Sequence, residues 1–199
     1  MSIGRQSKIL KEKQVVATQS YLASRRNGIR NVAILLLSVK AGLRAKEIAG
    51  LRWRMLVTPD GEIGDAIHLT NEASKGKSGR VIPLNLTLKH ALACLFANQR
   101  CQSGFDLNSW FVARSERSNR MSAQAVVNIF YRWYGDLGFV GCSSHSGRRT
   151  FITNASRKIG LVGGSLRDIQ VMAGHRNLQT TQRYIDYDTE CQRRVVNLV

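Results

Sequence analysis

The chain has 199 residues, of which 43% are hydrophobic, so it is long enough for one full core and too apolar for a disordered protein. It carries 30 Lys and Arg against 13 Asp and Glu, a formal net charge of +17, which predicts a polyanionic partner. Nucleic acid fits this charge better than an anionic membrane surface, because the sequence shows no long basic amphipathic helix.

The cysteines and the apolar runs exclude several further classes of protein. The four Cys residues include no Cys-x-x-Cys pair, so a zinc site or other metal site is not expected. The N-terminus lacks the apolar core of a signal peptide, and the longest apolar run, residues 32–37, is too short to span a bilayer. These features predict a cytoplasmic protein with reduced thiols.

The first part of the chain is predicted to be a basic tail followed by helices. Residues 1–13 are polar and basic, and we expect them to form a flexible tail. The remaining residues, 14–199, are predicted to form one domain that includes a C-terminal helix. Apolar residues at helical spacing predict helices over 15–24 and 32–40.

A segment that contains the only two prolines of the sequence, Pro59 and Pro83, differs from its surroundings. Residues 53–83 contain short β-favouring stretches at 67–70 and 80–82. Turn residues occur at Asp60-Gly61 and again between Lys75 and Gly79. The segment therefore predicts a small antiparallel sheet with these two turns.

The rest of the chain is predicted to be helical. Ser122 and Ser165 are favourable N-caps for two of these helices. The predicted helices cover residues 86–98, 122–134, 146–158, 165–174 and 189–198. A further predicted helix holds Tyr184. The resulting fold class is α+β, a mostly helical single domain with a small antiparallel β-sheet.

The last third of the chain concentrates side chains that can act on a phosphodiester. His145, Arg148, His175 and Tyr184 occur within about forty residues. Cleavage of a phosphodiester requires an oriented nucleophile and cations that neutralise the non-bridging oxygens. One proton must leave the nucleophile and another must reach the departing oxygen.

These requirements assign a chemical task to each side chain. Arg44 and Arg148 are suited to clamp the phosphate, because a guanidinium binds it bidentately and stays charged. Tyr184 is the candidate nucleophile, and its phenol needs such a cationic field and a nearby base. His145 is the candidate base. Lys75 is the candidate acid for the leaving 5′ oxygen, with Lys77 as a rival.

A purely structural interpretation exists for each of these residues. Tyr184 alone could be a core aromatic with a satisfied hydroxyl. His175, which follows Gly174, could belong to the C-terminal cap of a helix. Arg44 could simply pair with Glu47 on the same helix face.

Three segments resemble the signature motifs of the tyrosine recombinase (phage integrase) family. They are Gly42-Leu-Arg-Ala-Lys-Glu-Ile-Ala-Gly-Leu51, His145-Ser-Gly-Arg148 and Ala173-Gly-His175-Arg-Asn-Leu-Gln-Thr-Thr-Gln-Arg-Tyr184. Family members also carry a Lys in a β-turn eight residues before the Pro of an Ile-Pro-Leu stretch. Here Lys75 stands eight residues before Pro83, and His175 stands nine before Tyr184. The resemblance covers residues 14–199.

The resemblance implies a catalytic set and a reaction. The set is Arg44, Lys75, His145, Arg148, His175 and Tyr184. The implied reaction is site-specific DNA cleavage and religation through a 3′-phosphotyrosine, with His175 donating a hydrogen bond to the phosphate. Neither metal, ATP nor another cofactor is expected. Two alternatives stay open, a non-catalytic DNA-binding accessory protein of the same fold and a type IB topoisomerase.

The resemblance also implies partners. Double-stranded DNA is the expected substrate, within a tetrameric synapse in which C-terminal helices are exchanged between protomers, as in recombinases of mobile genetic elements. Candidate DNA contacts outside the catalytic set are Lys77, Arg117, Arg120, Gln124 and Arg149. Most relatives carry a helical core-binding domain before the catalytic domain, and we expect that half of the DNA clamp to be absent from this chain.

Overall fold

The computed structural model describes residues 7–74, 78–116, 118–185, 193 and 195–197. Within them the chain forms eight α-helices, two short 3₁₀ helices and two strands. The α-helices are α1 Glu12–Ala23, α2 Gly28–Ala41, α3 Ala45–Gly50, α4 Leu86–Arg100, α5 Ala123–Asp136, α6 Ser146–Lys158, α7 Leu166–Ala173 and α8 Leu178–Gln182. The strands are β1 Ala66–Leu69 and β2 Arg80–Pro83, and the 3₁₀ helices are Trp53–Met55 and Ile159–Val162.

Helix α2 is the centre of the main core. Its middle residues, 33–37, are all buried, so this helix is apolar around its whole circumference and not along one stripe only. It packs against α1, α4 and α6, which shield it from solvent on several sides. The end of α2 at Ala41 therefore has a fixed place in the core, from which the chain turns toward α3.

The sheet prediction is confirmed, with small differences in its extent. Strands β1 and β2 pair antiparallel with Ile67 opposite Ile82, and both of these side chains are buried. The turn at Asp60-Gly61 is closed by a single bridge between Val57 and Ile63, so it adds no third strand. The fold is the predicted mostly helical α+β domain. None of the described helices is long and apolar enough to cross a bilayer.

Most predicted helices are present within a few residues of their expected ends. The two predicted N-caps are confirmed, since Ser122 Oγ accepts from the amide of Ala125 and Ser165 Oγ accepts from that of Arg167. Tyr184 was predicted to lie in a helix, but α8 ends at Gln182 and Tyr184 lies in the turn that follows. Its carbonyl accepts a hydrogen bond from Thr153 Oγ1 at 2.8 Å, which fixes the backbone against α6.

The N-terminal boundary also differs from expectation. Helix α1 begins at Glu12, inside the predicted tail. Leu10 is buried, and its amide donates to Thr150 Oγ1 on α6 at 2.8 Å. Residues 7–11 are thus packed against the domain because an apolar side chain anchors them. Residues 1–6 lie outside the described ranges, as does most of the predicted helix 189–198.

A small second core supports the end of the chain nearest the candidate site. Ile152 of α6 packs with Ile169 and Ala173 of α7, and all three are fully buried. Tyr184 packs against this cluster from the surface side. The cluster therefore holds α6, α7 and the segment of Tyr184 as one unit.

Helix α6 approaches α2 closely at Gly147. A Cβ at this position would overlap Ser38 Oγ, lie 2.8 Å from Ser38 Cβ and lie 3.0 Å from a methyl carbon of Val39. Ser38 is fully buried, so it cannot move aside into solvent. The absence of a side chain at position 147 thus sets the distance between the two helices that carry Gly42 and Arg148.

We predict that Gly147→Ala lowers the free energy of unfolding by about 1–3 kcal/mol, because overpacking forces the two helices apart. Gly160→Ala is the matched control, since a Cβ there meets nothing within 4 Å. It is expected to change stability by less than about 1 kcal/mol. Urea denaturation of both variants measures this, and equal stability of the two would contradict the packing argument.

Candidate active site

Arg148 is the most deeply buried cation of the candidate site. It lies in the first turn of α6 with 3% of its surface exposed. Its Nη1 donates to the carbonyl of Gly42 at 2.7 Å, and its Nη2 donates to the carbonyl of Ala173 at 2.7 Å. Burial, and then the charge of Arg44, lower the pKa of Arg148 to about 10, which still leaves it protonated at neutral pH.

Both carbonyls that Arg148 binds belong to helix C-termini. Gly42 ends α2 and Gly174 ends α7, each in the left-handed region with φ of 65° and 63°. The last carbonyls of a helix have no partner within that helix and carry its negative partial charge. One guanidinium therefore satisfies two helix ends, which fixes α2, α6 and α7 relative to one another.

His175 is held between Arg148 and α8. Its Nε2 lies 2.8 Å from Arg148 Nη2, and its Nδ1 lies 2.9 Å from Thr181 Oγ1. A guanidinium can only donate, so Nε2 accepts and the proton of the neutral ring sits on Nδ1. Burial, and then the charge of Arg148, lower the pKa of His175 to about 4. The ring is thus neutral near pH 7, and its single N–H points to Thr181. In this arrangement it has no proton left for the hydrogen bond to phosphate that the family resemblance implied.

Glu47 joins the second arginine to the site. Its carboxylate is fully buried and binds Arg44 Nη1 at 2.9 Å and the amide of Arg44 at 2.9 Å. Arg80 binds the same carboxylate with both terminal nitrogens, at 3.0 and 3.2 Å. Burial alone raises the pKa of Glu47, but the hydrogen bonds and charges of Arg80 and Arg44 outweigh it and lower the net value. Glu47 is therefore ionised between two arginines.

Tyr184 stands at the edge of this group. Its ring stacks on His175 with centroids 5.5 Å apart and planes 21° from parallel. It is half-buried, and its hydroxyl makes no hydrogen bond with any described residue. Tyr184 and the exposed His145 line one concavity, while Arg44 and His175 line another. Thr180 lines both, so the two concavities adjoin.

The structure thus brings five of the six predicted catalytic residues into one region. Lys75 and Lys77 lie outside the described residues. The ends of their turn are described, and the amide of Ser78 donates to Ser74 Oγ at 2.9 Å. Ser78, the first described residue after Lys77, lines the concavity of Arg44 and His175.

The predicted DNA contacts are spread over several elements. Arg149 lines the concavity of Tyr184, where its Nη1 donates to the carbonyl of Ser7 at 3.3 Å. Arg120 lies over the ring of Phe111 at 5.2 Å. Gln124 is exposed near the start of α5 and donates to Asn128 at 2.9 Å. Arg117 lies outside the described residues.

Sequence reasoning missed Arg80 as a member of the site and considered Glu47 only as a structural partner of Arg44. The Arg44–Glu47 pair does form, and His175 does follow a glycine C-cap, so both structural interpretations coexist with the site. Glu47 has a local signal, because it stands at the third position of a helix in a capping arrangement. Arg80 has none, since its partner is 33 residues away.

In the described part of the chain, acidic and metal-ligating side chains are sparse around the site. Among the residues that the structure describes, no group of three or more His, Cys, Asp and Glu is placed to hold a metal ion. Glu47 is the acidic group that acts on the pKa values of both Arg148 and His175. The described part of the site is therefore strongly cationic.

Comparison with known proteins identifies relatives over most of the chain. The sequence model of the phage integrase family matches residues 8–190. Tyrosine recombinase XerC of Nitrobacter winogradskyi is 30% identical over 162 residues, which cover 81% of this chain and 47% of that protein. XerC of Brucella melitensis is 29% identical over 163 residues, with the same coverage. The chain thus spans about half the length of the curated relatives it matches.

Solved structures share the fold at low sequence identity. The Tn1549 transposon integrase in complex with a circular intermediate DNA matches with a TM-score of 0.76 and 16% identity, over 99% of this chain and 67% of that one. XerA recombinase matches with a TM-score of 0.74 and 20% identity, over 96% and 64%. A lambda integrase dimer bound to a COC′ core site gives 0.67 and 19%, over 94% and 49%.

We predict that the low pKa of His175 makes the protein less stable in mild acid. The unfolded chain binds the imidazole proton near pH 6.5, whereas the folded protein binds it only near 4. Because the unfolded state holds more protons in this window, the free energy of unfolding rises with pH from about 4 to 6.5, by on the order of 3 kcal/mol. Urea denaturation at several pH values measures this.

The control for this pH dependence is His175→Asn, which removes the titrating group and keeps a polar side chain. The variant is expected to lose most of the slope between pH 4 and 6.5 that the wild type shows. An unchanged slope would show that His175 is not held neutral by its surroundings.

Proposed function

The chain belongs to the phage integrase family, and we propose that it is a site-specific DNA recombinase that cuts and rejoins DNA strands through a 3′-phosphotyrosine intermediate. The observation that carries this proposal is the placement of Tyr184 beside a preformed cationic site. Its ring stacks on His175, which in turn contacts Arg148. A nucleophile therefore stands at the rim of an anion site.

Arg44 and Arg148 supply the fixed positive charge that a reacting phosphodiester needs. The negative charge on the non-bridging oxygens increases as the five-coordinate state forms, and fixed cations in a water-poor site stabilise that state. Arg148 is held by two helix ends, and Arg44 is a quarter exposed with its guanidinium anchored on Glu47. Neither arginine needs to be reorganised at the moment of reaction.

The proposed reaction is a balanced transesterification. The Tyr184 oxygen attacks phosphorus while its proton passes to His145, and the bond between phosphorus and the 5′ oxygen breaks. The departing 5′ oxygen takes a proton from Lys75, or from Lys77. One phosphoester bond replaces another, so religation by the 5′ hydroxyl needs neither ATP nor a metal ion.

The proposed substrate is double-stranded DNA, and the relatives support this choice. XerC proteins are named as recombinases, and the Tn1549 integrase and lambda integrase structures contain DNA. The net charge of +17 fits the same partner, in the cytoplasmic location expected from the sequence. We propose a tetrameric synapse with exchange of C-terminal helices, a feature that falls mostly outside the described residues.

Positive side chains outside the catalytic set are proposed to contact the DNA. Arg52 and Arg120 both lie over the ring of Phe111, at 4.8 and 5.2 Å. Stacking of this kind holds a guanidinium in place while its N–H groups stay available to phosphate. Gln124 is proposed to reach a base edge, and Arg149 to contact phosphate near Tyr184.

We predict that the protein forms a covalent adduct with a nicked suicide duplex made from the DNA that flanks its gene. The nick releases a short oligonucleotide after cleavage, so religation is blocked and the phosphotyrosine accumulates. Denaturing gel electrophoresis detects the adduct as a protein band that carries labelled DNA. Tyr184→Phe is expected to give no adduct and to keep its DNA affinity, because only the hydroxyl is removed.

The adduct experiment separates the enzyme from its alternatives. A wild-type protein that binds this DNA without forming an adduct would instead support the non-catalytic accessory role. An adduct that persists in Tyr184→Phe would assign the nucleophile elsewhere.

We predict that a 5′-bridging phosphorothiolate identifies the general acid among the two lysines. A thiolate leaves without protonation, so this substrate makes the acid dispensable. Lys75→Ala is expected to lower the cleavage rate by about 10²–10⁴-fold on the oxygen substrate and to recover on the sulfur substrate. Lys77→Ala is the matched control and should show no such recovery. Recovery in Lys77→Ala alone would transfer the role to Lys77.

A further inference from the structure

Arg80 occupies a position that links three segments of the site. It is the first residue of β2, and 5% of its side chain is exposed. Its two terminal nitrogens bind the Glu47 carboxylate of α3, at 3.0 and 3.2 Å. Its Nε donates to the carbonyl of Met172 in α7 at 2.7 Å. The planar guanidinium is thus used on two sides at once.

The contacts of Arg80 extend to the turn that carries His175. A Cβ on Gly174 would lie 2.8 Å from Arg80 Nη1, so the guanidinium packs directly against the turn backbone. Nη1 also lies 3.3 Å from the carbonyl of Ser78, at the end of the lysine-bearing turn. Arg80 therefore contacts the backbone of two segments, at Ser78 and at Gly174, that line the same concavity as Arg44 and His175.

The pairing with Glu47 has a consequence for Arg44. A buried carboxylate requires a compensating positive charge, because an unpaired one is costly to bury. If Arg44 were the sole cation on Glu47, its charge would be largely consumed by that pair. Arg80 also neutralises Glu47, through both of its terminal nitrogens, and the charge of Arg44 remains available to a phosphate.

The net charge of the cluster formed by Glu47 and its surrounding arginines agrees with these separate roles of Arg80 and Arg44. Arg44, Arg80 and Arg148 contribute three positive charges and Glu47 one negative charge, which leaves +2. A phosphodiester carries one negative charge and its five-coordinate state carries two. Without Arg80 the same cluster would hold +1, too little to match the state in which the bond breaks.

We propose that Arg80 is a positioning residue of the cleavage site, which neutralises Glu47 so that Arg44 is available to the scissile phosphate and fixes the Met172–His175 turn. The proposal rests on the proposed recombinase function. Arg80 itself touches no substrate in this scheme. It acts through Arg44 on the charge of the phosphate and through the turn on the placement of His175.

The first experiment measures single-turnover cleavage by Arg80→Gln on two nicked duplexes. One duplex carries the normal scissile phosphate, and the other carries a methylphosphonate, which lacks one negative charge. Arg80→Gln is expected to be slower by about 100-fold on the phosphate, as for a small misplacement of a catalytic group. On the methylphosphonate the loss should shrink to a few-fold, because less positive charge is required. Arg80→Lys keeps the positive charge but lacks the planar guanidinium. Its cleavage rate on the phosphate duplex should lie between the rates of Arg80→Gln and wild type.

Two control variants separate positioning from general loss of structure. Arg26→Gln removes an exposed arginine that pairs with Glu116, and it should cleave both duplexes like the wild type. Leu92→Ala removes a buried side chain of α4 in the main core and lowers stability without touching the site. Equal losses of Arg80→Gln on both duplexes, or a rate within about twofold of wild type, would overturn the proposal.

The second experiment needs no DNA and follows the His175 ring by NMR titration, with His175→Asn used for assignment. Removal of the Arg80 charge and of its contact with the turn is expected to raise the pKa of His175 from about 4 in Arg80→Gln. A His175 titration identical to wild type in that variant would overturn the positioning role. If the wild type forms no adduct with DNA, the recombinase function fails, and this titration alone decides the role of Arg80.

Discussion

The buried carboxylate of Glu47 is the constraint on which the rest of the site depends. An ionised carboxylate with no exposure is stable only where cations and amides surround it. Arg44 comes from the same helical turn, but Arg80 comes from a strand and also holds the Met172 carbonyl of α7. Burial of one acidic side chain thus requires α3, β2 and α7 to be docked together, and that docking assembles the cationic cluster. One of the two arginines that stabilise the buried carboxylate, Arg44, is also a residue that we propose binds the phosphodiester.

Arg148 completes this frame through the backbone. It binds the terminal carbonyls of α2 and α7, which have no hydrogen-bond donor within their own helices. Burial of a charged guanidinium usually costs free energy, and at Arg148 the negative ends of two helix dipoles offset part of that cost. His175 then sits against Arg148 as a neutral ring. The described inner part of the site is therefore held together by contacts within the protein, while Tyr184 and His145 lie at its edge.

The sequence predicts much of this arrangement for identifiable reasons. Helical periodicity gave most helices, and the serine caps at 122 and 165 defined two of their starts. Ordered motifs and spacings predicted a catalytic set, and five of its six residues lie in one region of the described structure. The role of Arg80 was not predicted, because its partners Glu47 and Met172 lie 33 and 92 residues away along the chain. No local sequence pattern indicates contacts at such a separation. The end of α8 before Tyr184 was not predicted for a similar reason, since a long-range hydrogen bond from Thr153 fixes the backbone there.

We propose that the anion site is formed before DNA binds, and binding of an oxyanion analogue tests this most directly. A crystal structure of the wild-type protein soaked with tungstate should show the ion within hydrogen-bond distance of Arg44 and Arg148, beside Tyr184. The contacts of Glu47 with Arg80 and of Arg148 with Gly42 should be the same with and without the ion. Tungstate bound elsewhere, or bound only after these contacts break, would contradict a preformed site.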